Sequence, residues 1–81
     1  MVGQPEIAKN FSYTEYIKMW EEIEVFRHEN KRLPNFRDWG GIRILKEEYI
    51  RAGKAVVQFR AMNRRNPEIV TMTGIEPVKG E

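Results

Sequence analysis

Phe26-Arg27-His28-Glu29-Asn30-Lys31-Arg32-Leu33-Pro34-Asn35 and Phe59-Arg60-Ala61-Met62-Asn63-Arg64-Arg65-Asn66-Pro67-Glu68 decide how this chain folds, because the second string is the first moved by 33 residues. At that one offset Phe26 falls on Phe59, Arg27 on Arg60, Asn30 on Asn63, Arg32 on Arg65 and Pro34 on Pro67. The agreement extends outward without a gap. Tyr16 and Ile17 fall on Tyr49 and Ile50, and Gly41 and Ile42 on Gly74 and Ile75. Lys18 with Arg51, Ile23 with Val56, Lys31 with Arg64 and Phe36 with Ile69 are conservative matches. Both the apolar spacing and the turn chemistry recur, which is the signature of an internal repeat.

Each unit reads as a helix, a turn and a short extended segment. Ser12 and Glu15 have the spacing of a capping box, with Phe11 and Tyr16 at the hydrophobic-staple positions. Tyr16, Ile17, Trp20, Ile23 and Phe26 follow at threes and fours, which places them on one helical face expected to be buried. Asn30, which tolerates a left-handed backbone, and Pro34, which cannot continue a helix, stop it near Asn30. The second helix is expected from Lys46 to Met62, with Tyr49, Ile50, Gly53, Val56 and Phe59 facing inward and Asn63 as its stop. It lacks a cap, since Leu45 stands where Ser12 stood. Trp20 corresponds to Gly53, so the indole is expected to fill the space the glycine leaves if the helices pack face to face. After each proline a hairpin is expected, Asn35 to Ile44 around Gly40-Gly41 and Glu68 to Pro77 around Thr73-Gly74.

The expected fold class is therefore α+β, mainly α with little strand, in which two pseudo-symmetric helix-turn-hairpin repeats pack on one core. A flexible N-terminal segment, residues 1–10, precedes a single domain, 11–81, made of repeat 1 (13–45) and repeat 2 (46–78).

With 81 residues the chain makes one small domain, too short for a deep catalytic cleft. No cysteine is present, so neither a disulfide framework nor a thiolate metal site forms, and one histidine, His28, argues against an imidazole zinc site. Ser12 is the only serine and serves as a cap. His28 sits one turn from Glu24, an ordinary surface pair, and Gly40-Gly41 lacks the lysine and helix of a phosphate loop. These absences point away from catalysis, and no cofactor or metal is expected. The apolar residues are dispersed, so no membrane span is expected either.

The net charge of +2 conceals an uneven distribution: residues 1–30 carry −3, residues 31–65 carry +7 and residues 66–81 carry −2. A basic middle suits a polyanion, whether nucleic acid or a glycan bearing carboxylates. Pairing of that block with the acidic first helix is the other reading.

The recurring pattern, an aromatic-Ile start, a helix ending Phe-x-x-x-Asn, then Arg-Leu-Pro-Asn and an extended segment with a glycine, resembles the pseudomurein-binding repeat of methanogen surface proteins and of the lytic isopeptidases of their viruses. The likeness spans residues 13–77. The second copy departs from it, with Asn66 for the leucine and Glu68 for the following asparagine. The resemblance implies attachment to pseudomurein, an archaeal wall polymer of N-acetylated sugars, one a uronic acid, cross-linked by peptides containing glutamate and lysine. It also implies a place at the cell wall or surface, or in a viral lysis protein. The catalytic domain of such an isopeptidase uses a cysteine, so without one this chain corresponds only to a targeting module.

Arg32 and Arg65, flanked by Lys31 and Arg64, are candidate ligand residues, because guanidinium forks hold carboxylates bidentately. They also suit tying the repeats together through carbonyls. Trp39, two residues from Arg37, offers a face on which a sugar ring stacks, or else plugs the core beneath the hairpin. Arg37, Asn35 and Thr71 complete the candidate set. A small basic nucleic-acid-binding protein is the alternative function.

Overall fold

The Ser12 side chain starts the first helix as its spacing requires. Its Oγ accepts the Glu15 N–H at 3.1 Å, and the Glu15 carboxylate accepts the Ser12 N–H at 3.1 Å. The computed structural model describes residues 6–75. In chain order these form β1 (Glu6–Ser12), α1 (Tyr13–Asn30), β2 (Phe36–Trp39), β3 (Ile42–Leu45), α2 (Lys46–Asn63) and β4 (Ile69–Ile75). The fold is α+β, two helices and a four-stranded antiparallel sheet of order β1-β4-β3-β2.

The sheet is two antiparallel ribbons with one joint. In the first ribbon β1 pairs with β4 from Glu6↔Ile75 to Ser12↔Ile69. In the second, β2 pairs with β3 from Phe36↔Leu45 to Trp39↔Ile42. A single bridge, Arg43↔Ile75, connects them. The registers are related by the 33-residue offset, since Ser12↔Ile69 becomes Leu45↔Phe36 when each partner is exchanged for its equivalent. Helix starts correspond as well. The Tyr13 N–H donates to the Glu68 carbonyl at 3.2 Å, and the Lys46 N–H donates to the Asn35 carbonyl at 2.9 Å. α2 has no side-chain cap at Leu45, so the Asn35 carbonyl takes a donor that would otherwise be orphaned.

Each helix ends by the same device, which differs from the one expected. Asn30 and Asn63 remain helical and donate their side-chain amides to the Phe26 and Phe59 carbonyls, both at 3.0 Å. The left-handed residues are the next ones, Lys31 at φ 61° and Arg64 at φ 58°. Their N–H groups bond the Arg27 and Arg60 carbonyls at 2.8 and 2.9 Å.

The core takes Tyr16, Met19 and Ile23 from α1 and Tyr49, Ala52 and Val56 from α2, over Phe11, Ile42, Ile44, Val70 and Met72 from the strands. Met19 and Ala52, which occupy equivalent positions, lie at the centre of the buried stripe. Ile17, Trp20 and Ile50, expected there, flank it half-buried. Trp20 meets Tyr49 edge-on, with ring centroids 5.3 Å apart at 88°, an arrangement the aromatic quadrupole favours. The Tyr49 hydroxyl donates to the Pro34 carbonyl beneath the turn.

Three sequence expectations are corrected. Residues 6–10, placed in a flexible N-terminal segment, form most of β1, because β4 supplies a full pairing edge that local sequence cannot announce. Strand content is larger than expected, with β1 and β4 each seven residues long. Gly40-Gly41 does form a hairpin turn, with φ of 62° and 85°. Thr73-Gly74 does not, as β4 runs through Gly74 to Ile75. A β-carbon on Gly74 would stand 2.6 Å from the Arg43 carbonyl oxygen, so this glycine serves close strand approach. Pro77, the expected end of that second hairpin, lies outside the described residues.

Candidate functional site

Strand alternation separates the candidate residues. Arg37 and Trp39 share the core side of β2, opposite Ile44 and Ile42. Trp39 packs half-buried against the core cluster. Arg37 stands 5.9 Å from its ring and forms an ion pair with Glu22 of α1. The Arg37 Nε is enclosed without a hydrogen-bond partner. Thr71 faces the other side of β4, where its hydroxyl donates to Asn10 Oδ1 at 2.6 Å across the strand pair. Asn35 contributes its backbone to the start of α2, and its side chain is exposed.

Arg32 and Arg65, 33 residues apart, are held alike. Arg32 lies 5.1 Å above the Phe26 ring and Arg65 5.1 Å above the Phe59 ring. The aromatic face steadies each guanidinium. The Arg32 Nη1 also reaches the Leu33 carbonyl at 3.3 Å. The six candidates do not converge: Arg65, Thr71 and Arg37 line three different depressions.

Acidic partners account for part of the basic charge. Arg27 pairs with Glu24 at 2.7 Å, Arg43 with Asp38 at 2.9 Å and Arg51 with Glu48 at 2.7 Å. The Arg43 guanidinium holds the Asp38 carboxyl below the usual range, against slight desolvation. The Arg51 hydrogen bond likewise lowers Glu48, burial opposes it, and the Thr73 N–H, donating at 2.8 Å, lowers it further. Glu48 is thus committed to the edge of β4, where Arg51 also donates to the Thr71 carbonyl. Burial pushes the Tyr49 hydroxyl up. Burial also raises Tyr16, Tyr13 adds to the rise, and the nearby Trp20 N–H and Arg60 oppose it. The indole N–H reaches no hydrogen bond of ordinary geometry there.

Arg60, Arg64 and Arg65 have no acidic partner among the described residues. They line a groove with Val57, Ala61 and Asn66 at the end of α2. The sequence pointed to Arg65, flanked by Arg64, but not to the groove that Val57, Arg60 and Ala61 form with them. The signal lay in a difference between the copies: Val57 replaces the Glu24 that neutralises Arg27, and Ala61 replaces His28. Among the described residues no helix is long and apolar enough to cross a membrane.

No family model matches the chain, and no curated protein matches its sequence. The likeness to the pseudomurein-binding repeat rests on the residues quoted above.

Proposed function

We propose that this chain is a non-catalytic wall-binding module for pseudomurein, built from two pseudo-symmetric repeats. The observation that carries the reading is a set of exposed cations without acidic partners among the described residues, placed just beyond both helices. These are Lys31 and Arg32 after α1, and Arg64 and Arg65 with Arg60 at the end of α2. A polymer bearing uronic acids and peptide carboxylates presents acceptors along its length, and forked guanidinium groups match them. Two similar clusters on one domain engage such a polymer twice, so weak single contacts multiply. The repeat reading is supported by the equal 18-residue helices, the shared left-handed stops and the strand registers related by one offset. The module acts at the cell wall or surface, as the targeting part of a surface protein or of a lytic enzyme whose catalysis lies elsewhere.

A small nucleic-acid-binding protein is the second reading, favoured by the +7 charge of residues 31–65, since phosphate binding requires only positive charge. Cosedimentation with isolated pseudomurein sacculi, run beside an electrophoretic shift with duplex DNA at physiological salt, separates the two. Retention on sacculi without a DNA shift is the expected result. A DNA shift without retention overturns the wall-binding reading.

A further inference from the structure

The outward side of α2 carries a stripe that neither the core nor the ion pairs use. Gly53, Lys54, Val57, Arg60, Ala61 and Arg64 recur at threes and fours and therefore lie in one line along the helix. Trp20 and Tyr16 of α1 wall the end near Gly53, and Arg65 and Asn66 close the other. Val57 lines both halves and is 66% exposed. The two depressions meet at Val57, whose side chain with the Ala61 methyl gives the second a small apolar wall beside its arginines. The result is a shallow trough, and no acidic residue lines either half.

Charge and shape together select the occupant. On α1 the guanidinium of Arg27 is satisfied by Glu24 three residues earlier. On α2 the same position is Val57, so Arg60 keeps an unspent fork, and Arg64 follows one turn on. The C-terminal end of the helix contributes about half a negative charge, which Arg60, Arg64 and Arg65 together outweigh. A guanidinium fork takes a carboxylate through two parallel donors, while an apolar floor takes the C–H face of a sugar ring. Base stacking would need a well-exposed aromatic face, and the aromatic side chains lining these depressions are Tyr16, which is buried, and Trp20, half-buried and packed edge-on with Tyr49.

We infer that this trough is an acidic-sugar subsite, in which a ring lies along Val57 and Ala61 and its carboxylate is held by Arg60 and Arg64. The inference rests on the wall-binding reading and gives it a location and a ligand chemistry.

The test titrates the full chain with a galacturonic acid tetrasaccharide, its methyl ester and a tetranucleotide, following backbone amides by NMR. The acid is expected to shift residues 53–66, and the ester, which lacks the charge, to bind at least tenfold more weakly. Arg60→Gln with Arg64→Gln is expected to weaken binding at least tenfold. Val57→Glu, which supplies the Arg60 partner that Glu24 supplies to Arg27, is expected to do the same while leaving the unfolding midpoint within error of the parent. Binding that survives both variants, or a tetranucleotide that binds the trough more tightly than the sugar, overturns the inference. Sacculus retention untouched by these variants removes the subsite and keeps the wall-binding reading. Tetrasaccharide binding without sacculus retention does the reverse.

Discussion

The Trp20 indole stands against Gly53, its Cζ2 lying 3.2 Å from the point a β-carbon on that glycine would occupy. The Tyr16 hydroxyl is 3.6 Å from the same point. Glycine within a helix costs roughly 1 kcal/mol relative to alanine, so its presence here reflects space. Gly53→Ala is expected to yield no net gain in stability, because the indole must shift by a few tenths of an ångström. In a Trp20→Ala background the same substitution is expected to recover about 0.5–1 kcal/mol. Urea unfolding of the four proteins measures the coupling, and a Gly53→Ala protein more stable than its parent would falsify the packing role.

Glu48 gives the fold an acid-sensitive contact. Its carboxyl is depressed on folding, chiefly by Arg51, so its contribution is present above the unfolded value of roughly 4.3 and lost as pH falls through the lower folded value. Glu48→Gln is expected to cost about 1 kcal/mol at pH 7 and less at about pH 3. Chemical denaturation at the two pH values reads the gap directly. A gap of the same size at both would remove the ionised carboxylate from the explanation.

Gly74 and Gly41 lie 33 residues apart, at matching positions of the sequence offset, yet differ in what they tolerate. Gly74→Ala drives a methyl into the Arg43 carbonyl, where backbone must move, and is expected to cost about 2–3 kcal/mol. Around Gly41 there is open space and only its φ of 85° resists, so alanine there is expected to cost about 1 kcal/mol. Thermal unfolding of the two single variants gives the order, and a reversed order contradicts these assignments.

Lys31 sits at φ 61°, a conformation that suits glycine better than any residue with a side chain. Lys31→Gly is expected to stabilise the protein by about 0.5–1 kcal/mol, visible as a higher denaturant midpoint with an unchanged slope. A lower midpoint would mean that the lysine side chain contributes more than the backbone strain costs.

Helices were legible in the chain because their signals are local. Ser12 with Glu15, the three-four spacing from Tyr16 and the Asn-Pro stops each act within a few residues, and the observed ends fall where those signals put them. The strands were not. In Glu6-Ile7-Ala8-Lys9-Asn10-Phe11-Ser12 only Phe11 is fully buried, and nothing nearby declares that residues 69–75 will pair with it. Gly74 was misread for a related reason, since a glycine demanded by a neighbouring carbonyl looks in sequence like one demanded by a turn. The arginines beyond each helix could be read as exposed cations. The trough on α2 could not, because an apolar Val57 is ordinarily assigned to an interior.

The two ribbons differ in how far along the chain their strands lie: β2 and β3 are joined directly by the Gly40-Gly41 turn, whereas β1 and β4 stand at opposite ends of the described residues. The short Gly40-Gly41 turn closes the β2–β3 ribbon at little entropic cost, whereas the β1–β4 ribbon closes a far longer loop. During synthesis the hairpin at this turn can form early, but β1 waits for β4, which is made after all the other described elements. The nascent chain therefore stays unfinished on the ribosome until residue 75 has emerged.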